Sequence, residues 1–113
     1  MPHLIVECSE HILKNGSADE IIEKIYKTVT AIDSFEKNVM VRIIPYKHYT
    51  TLGTQDDFIY IFANILEGRT LENKKTFSKN VVILLKEMFP TVPKISINIR
   101  EFERATFVNN SMV

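Results

Sequence analysis

The chain has 113 residues, 45% of them hydrophobic, a length that fits one domain with its own core and a composition that excludes disorder as the main description. Fourteen Lys plus Arg balance fourteen Asp plus Glu. With no net field to attract a polyanion, neither nucleic acid nor an anionic membrane surface is an expected partner.

Leu4, Val6 and Cys8 alternate with His3, Ile5 and Glu7, a two-residue period that predicts a strand over residues 2–8. Asn15-Gly16 marks a turn, and Ser17 followed by Glu20 is a capping-box pattern that predicts a helix start. Ile21, Ile22, Ile25, Tyr26, Val29 and Ile32 recur at three- and four-residue steps and predict one buried stripe. A second strand is expected over residues 39–45, with Val39, Val41 and Ile43 on one face and Met40, Arg42 and Ile44 on the other. After a polar connection, the apolar run 58–66 predicts a third strand buried on both faces. Thr70 suits the cap of a second helix with the stripe Leu71, Phe77, Val81, Leu84, Leu85 and Met88, ended by Pro90 and Pro93. Ile95, Ile97 and Ile99 against Ser96, Asn98 and Arg100 predict a fourth strand over residues 95–102. The tail, residues 106–113, has no clear period.

Strand, helix, strand occurs twice. The expected fold is α/β (α+β): one domain, residues 1–113, of two pseudo-repeated β-α-β units at about 2–46 and 58–102. The units make a four-stranded sheet with both helices on one face. The other face then needs cover, which neighbouring copies would provide. The apolar runs are too short to span a bilayer and the opening lacks a basic segment before a long apolar one, so a cytoplasmic location is expected. Cys8 has no internal disulfide partner, and His3, His11 and His48 are not at zinc-ligand spacing, so no structural metal is expected.

Pro2 is the residue with the most unusual chemistry. Initiator methionine is normally removed before a small residue, and removal would leave a secondary amine whose ring fixes its orientation. A reference α-amino group has a pKa of about 7.7–8.0, and a base at neutral pH would need that value lowered by burial or nearby cations. From the local residues alone the favoured reading is the simpler one, that Pro2 begins a strand, a place where Pro is tolerated. Arg42 stands by period beside Met40 and Ile44, where its charge needs a partner, either a substrate carboxylate or an acid such as Glu7. His3 suits a hydrogen bond near the Pro2 end, or mere packing. Cys8 reads as a small buried hydrophobe. Tyr46, Tyr49 and Tyr60 suit a core or a pocket lining, and Lys74, Lys75 and Lys79 suit a solvated helix face able to steer an anion.

Met1-Pro2-His3-Leu4-Ile5-Val6-Glu7-Cys8-Ser9 resembles the opening of the 5-carboxymethyl-2-hydroxymuconate isomerase family of the tautomerase superfamily. Ile65-Leu66-Glu67-Gly68-Arg69-Thr70, the helix after it and residues 95–101 are similar to oxalocrotonate tautomerase, and Phe107-Val108-Asn109-Asn110 is similar to the tail of the isomerases and of macrophage migration inhibitory factor. The resemblance implies a homotrimer of doubled subunits, no metal and no organic cofactor. It also implies an isomerase acting on a small anionic di- or tricarboxylate, with Pro2 as general acid/base and Arg42 and Arg69 binding the substrate. Ser96 stands where oxalocrotonate tautomerase has a strand arginine, so that charge would come from Arg42, Arg100 or a neighbouring subunit. Ile59 begins the second unit inside the chain, so one base per subunit is expected. A phenylpyruvate-type keto-enol tautomerase and a non-catalytic trimeric binding module are the rival readings.

Overall fold

Alternating apolar residues open the chain as β1 (His3–Ser9), and a short 3-10 turn (Glu10–Lys14) leads toward α1 (Ala18–Thr30). There follow β2 (Met40–Tyr46), β3 (Phe58–Leu66), α2 (Leu71–Met88) and β4 (Lys94–Phe102). This computed structural model describes residues 2–14, 16–32 and 37–113, so the Asn15 half of the expected turn lies outside the described residues. The four strands form one sheet in the order β2-β1-β3-β4. β1 and β2 are parallel, β3 and β4 are parallel, and the two pairs join antiparallel through β1 and β3.

Local chemistry starts both helices. Ser17 and Thr70, in extended backbone, accept hydrogen bonds from the Glu20 and Asn73 amides at 3.0 and 3.1 Å, satisfying donors that a first helical turn leaves unpaired. Ile21, Ile25 and Val29 of α1, with Phe77, Val81 and Leu85 of α2, are buried against Leu4, Val6 and Cys8 of β1 and Ile59, Ile61, Ala63 and Ile65 of β3. Two stripe assignments change. Tyr26 is exposed and donates its hydroxyl to the Lys37 carbonyl, and Leu71, the first residue of α2, is 65% exposed beside an open groove between α2 and β4.

β3 is not buried on both faces: its exposure alternates, with only the helix-facing side chains buried. On the opposite face the register sets three rows across the sheet. They are Met40, His3, Asn64 and Arg100; Arg42, Ile5, Phe62 and Asn98; and Ile44, Glu7, Tyr60 and Ser96. Here Tyr60 and Phe62 stack at 4.9 Å, the Arg100 guanidinium lies 5.2 Å above Phe62, and Asn98 donates to the Tyr60 hydroxyl at 2.9 Å. The Asn98 Oδ1 is buried without a hydrogen-bond partner among the described residues.

The β2–β3 connection folds on itself through a Thr51–Thr54 bridge, with Leu52 and Gly53 both at positive φ (51° and 88°), as a primed turn requires. Among the described residues no helix is long and apolar enough to cross a membrane.

Candidate active site

The antiparallel β1–β3 junction brings the head of β1 against the end of β3, with His3 opposite Asn64, while the head of β2 and the end of β4 flank them. Pro2, less than 2% exposed, sits at this end of the sheet and shares the core-facing side with Leu4. Its carbonyl accepts a hydrogen bond from the Met40 amide at 3.0 Å, which fixes the strand's first residue to β2. The buried ring and the anchored carbonyl leave Pro2 little freedom.

On the open face its neighbours His3 and Met40, but not Pro2 itself, line a cavity of about 530 Å³, a volume in the range of small-molecule sites. Its floor is His3, Met40, Arg42 and Asn64, and its far wall is Phe102 with Glu103, Thr106 and Phe107 of the tail. Pro2 is joined to two of the floor residues, covalently to His3 and by hydrogen bond to Met40. Burial first and the Arg42 guanidinium second push the His3 imidazole below its ordinary 6.5, leaving it neutral at pH 7. A neutral imidazole beside a guanidinium offers an acidic oxygen a hydrogen bond without a second charge.

Arg42 is exposed in the chain, and among the described residues no ion pair holds it. Its expected acid, Glu7, instead takes the hydrogen bond of the Tyr46 hydroxyl, an interaction that raises the Tyr46 pKa. Arg69 is half-buried just before α2, at the same end of the sheet as Pro2 but outside the cavity lining.

The Glu67-Gly68-Arg69-Thr70 turn has structural duties of its own. Gly68 at φ 115° supplies a backbone conformation costly for other residues, and Thr70 caps α2. The Glu67 carboxylate accepts the Arg104 amide at 2.6 Å, while the Arg104 guanidinium reaches the Glu67 carbonyl at 3.4 Å. Phe107 then stacks on Phe102 at 5.2 Å. Glu103 and Thr106 join the cavity without any signal in the sequence, because the tail that carries them has no periodicity, whereas Phe107 opens the Phe107-Val108-Asn109-Asn110 segment that carries the resemblance.

The weaker candidates disperse. Cys8 is buried, and burial with the nearby Asp57 carboxylate pushes its thiol from 9.0 up to about 11, so it is a packed hydrophobe rather than a nucleophile. His11 and His48 are exposed, and His11 bonds Asp57 at 2.8 Å. Tyr49 and Tyr60 line a separate hollow of about 330 Å³ beside the β2–β3 connection. Lys74, Lys75 and Lys79 flank an open groove between α2 and β4, where Lys74 pairs with Glu101 at 2.9 Å and holds that carboxyl below its usual range. Among the described residues no cluster of three potential metal ligands occurs.

A family model described as 5-carboxymethyl-2-hydroxymuconate isomerase matches residues 2–112. Comparison with the sequences of curated proteins gave no match. Among solved structures, a 5-carboxymethyl-2-hydroxymuconate isomerase from Deinococcus radiodurans R1 superposes with a TM-score of 0.83 at 21% identity, over 96% of this chain and 88% of that one. Pt0534 inactivated by 2-oxo-3-pentynoate matches with a TM-score of 0.78 at 16% identity, over 98% and 94% of the two chains. The F6 fused 4-OT, an asymmetric trimer, gives 0.76 at 17% identity over 96% and 92%. At these identities the structural likeness speaks for the fold.

Proposed function

The chain belongs to the 5-carboxymethyl-2-hydroxymuconate isomerase family and is an isomerase, and from that premise we propose that it moves a proton along an unsaturated 2-hydroxy or 2-oxo acid with Pro2 as the general acid/base. While Met1 is attached, the Pro2 nitrogen is a tertiary amide with no basic lone pair. Once Met1 is removed it becomes a secondary amine. The burial of Pro2 opposes its ammonium form, and the Arg42 guanidinium, in the cavity lined by the neighbouring His3 and Met40, is assigned the same effect, so that a free base is favoured near neutral pH.

In this mechanism Arg42 pairs with the substrate carboxylate through its planar fork. Pro2 takes a proton from the dienol hydroxyl or the α-carbon and returns it at a carbon further along the conjugated system. The proton count is unchanged and no second reactant is consumed. The charge that develops on oxygen meets Arg42 and the neutral His3 N–H, and such stabilisation is commonly the main source of rate enhancement in reactions of this kind. Arg69, at the same sheet end, is assigned a second carboxylate. A di- or tricarboxylate such as 5-carboxymethyl-2-hydroxymuconate is the proposed substrate. A keto-enol tautomerase of arylpyruvates is a second reading, favoured by the apolar wall of Met40, Phe102 and Phe107.

The proposed assembly is a homotrimer of subunits built from two repeated units, about 2–46 and 58–102. Its support is the open sheet face, where Met40 and Ile44 are 50% and 40% exposed and the Asn98 Oδ1 awaits a donor.

The observation that carries the proposal is a fully enclosed Pro2 tied to two floor residues of the Arg42 cavity. The test is turnover of 5-carboxymethyl-2-hydroxymuconate and of phenylpyruvate by protein whose intact mass proves Met1 absent. Pro2→Ala is expected to lose about 10²- to 10⁴-fold, the usual worth of a positioned acid/base. Undiminished turnover by that variant would refute the assignment.

A further inference from the structure

Two formal charges line the cavity, and they do not meet. Arg42 stands on its floor and Glu103 on its far wall, while the third ionisable group of the lining, His3, is neutral at pH 7. Among the described residues no ion pair joins the guanidinium to this carboxylate or to any other. Glu103 has no structural duty that would explain it. It follows β4 directly and precedes the 3-10 turn Arg104–Thr106, yet its side chain makes no capping hydrogen bond to that turn. Nor does any other hydrogen bond among the described residues take its oxygens.

A bare carboxylate at the wall of a ligand-sized hollow acts on a guest in two ways. It binds a hydroxyl well, because an ionised acceptor strengthens the hydrogen bond, and it repels a second carboxylate across a space from which the guest displaces water. Arg42 does the opposite on its own side. The two charges sum to zero, so the cavity matches a guest with one carboxylate and, remote from it, a neutral group that carries a donor. We propose that Glu103 sets the charge selectivity of the site, admitting an acid whose remote end bears a hydroxyl and turning away one whose remote end bears a second carboxylate. The assignment rests on the reading of the Arg42 cavity as the place where the acid binds, and it narrows the substrate class. Only one carboxylate of a multiply charged acid enters. The others are left to Arg69, which lies outside the lining.

The experiment measures binding rather than turnover, using three acids that lack a keto group and differ only at the far ring position: 3-phenylpropanoate, 3-(4-hydroxyphenyl)propanoate and 3-(4-carboxyphenyl)propanoate. Each is titrated by calorimetry at neutral pH into Met1-processed parent protein, Glu103→Gln and Arg42→Gln, with circular dichroism to confirm folding. In the parent, the hydroxylated probe is expected to bind about 5- to 20-fold more tightly than the plain one, and the dicarboxylate about 5- to 20-fold less tightly. Glu103→Gln keeps the size and an acceptor oxygen but removes the charge, and is expected to bring all three within about threefold of one another. Arg42→Gln should weaken all three by a similar factor and keep their order. A merely structural role for Glu103 would move the probes together. That result would overturn the proposal, as would a folded Gln variant with the parent's ranking, a parent that does not rank the probes, or no binding of any of them. If the parent ranks the probes but turns over neither 5-carboxymethyl-2-hydroxymuconate nor phenylpyruvate, the proposed proton transfer falls and the selectivity stands; turnover without the ranking gives the reverse.

Discussion

At the head of β1, His3 stands half-buried beside a guanidinium, with a cavity in front of it. Past the other end of the same strand, His11 is exposed and hydrogen-bonded to the Asp57 carboxylate, whose second oxygen accepts from the buried Ser9 hydroxyl at 2.9 Å. Both places combine a histidine with a charged partner. At the head no acid among the described residues pairs with the cation and the space is open, the arrangement that the proposed anionic substrate would complete. At the far end every group already has its partner, since the Ser9 oxygen also receives the Phe58 amide at 3.3 Å. What separates a site from a clasp here is an unspent charge next to a void, not the residue types.

Substitutions at the two ends sharpen that contrast. Arg42→Gln is expected to lower kcat/KM about 10- to 100-fold, the worth of a charge-assisted hydrogen bond, with little change in the thermal midpoint. Ser9→Ala should do the reverse: stability falls by about 1–3 kcal/mol, because Asp57 and the Phe58 amide both lose a buried partner, while turnover of the folded fraction holds. Urea titration beside steady-state kinetics reads both.

A smaller effect comes from Cys8. Its thiol is held up to about 11 in the fold against 9.0 in the open chain, so above pH 9 the unfolded state binds fewer protons than the folded one. Stability should be intact below pH 9 and decline as pH rises towards 11, a slope that Cys8→Ala should remove; urea midpoints across that window test it. The smallest change expected is in His11→Ala, at about 0.2–1 kcal/mol for an exposed pair, with unaltered kinetics. A large loss of activity from that substitution would erase the distinction between the two ends.

Much of this was legible in the chain because it is local. Ser17 and Thr70 cap their helices as their spacing announces, and the apolar run 58–66 coincides with β3. Period failed where tertiary context decides. Leu71 fits the helical stripe but is exposed in the first turn of α2, and β3 reads as doubly covered although one of its faces is open. The 3-10 turn at Glu10–Lys14 has no sequence period to betray it. At the candidate site, the register of β1 and β2 puts Arg42 one pleat from His3, as the alternation implied. The Glu67–Arg104 attachment was invisible, because a side chain binding a backbone amide 37 residues away leaves no pattern in either segment.

The antiparallel seam between β1 and β3 also has a kinetic consequence. The pocket is bounded by residue 3 at one extreme of the chain and residue 107 near the other, so it comes into being only after both parallel pairs have formed and met. Contacts so remote in sequence form late. During refolding from denaturant, recovered enzymatic rate should therefore lag behind regained helicity, and neither half of the polypeptide expressed alone should carry the reaction.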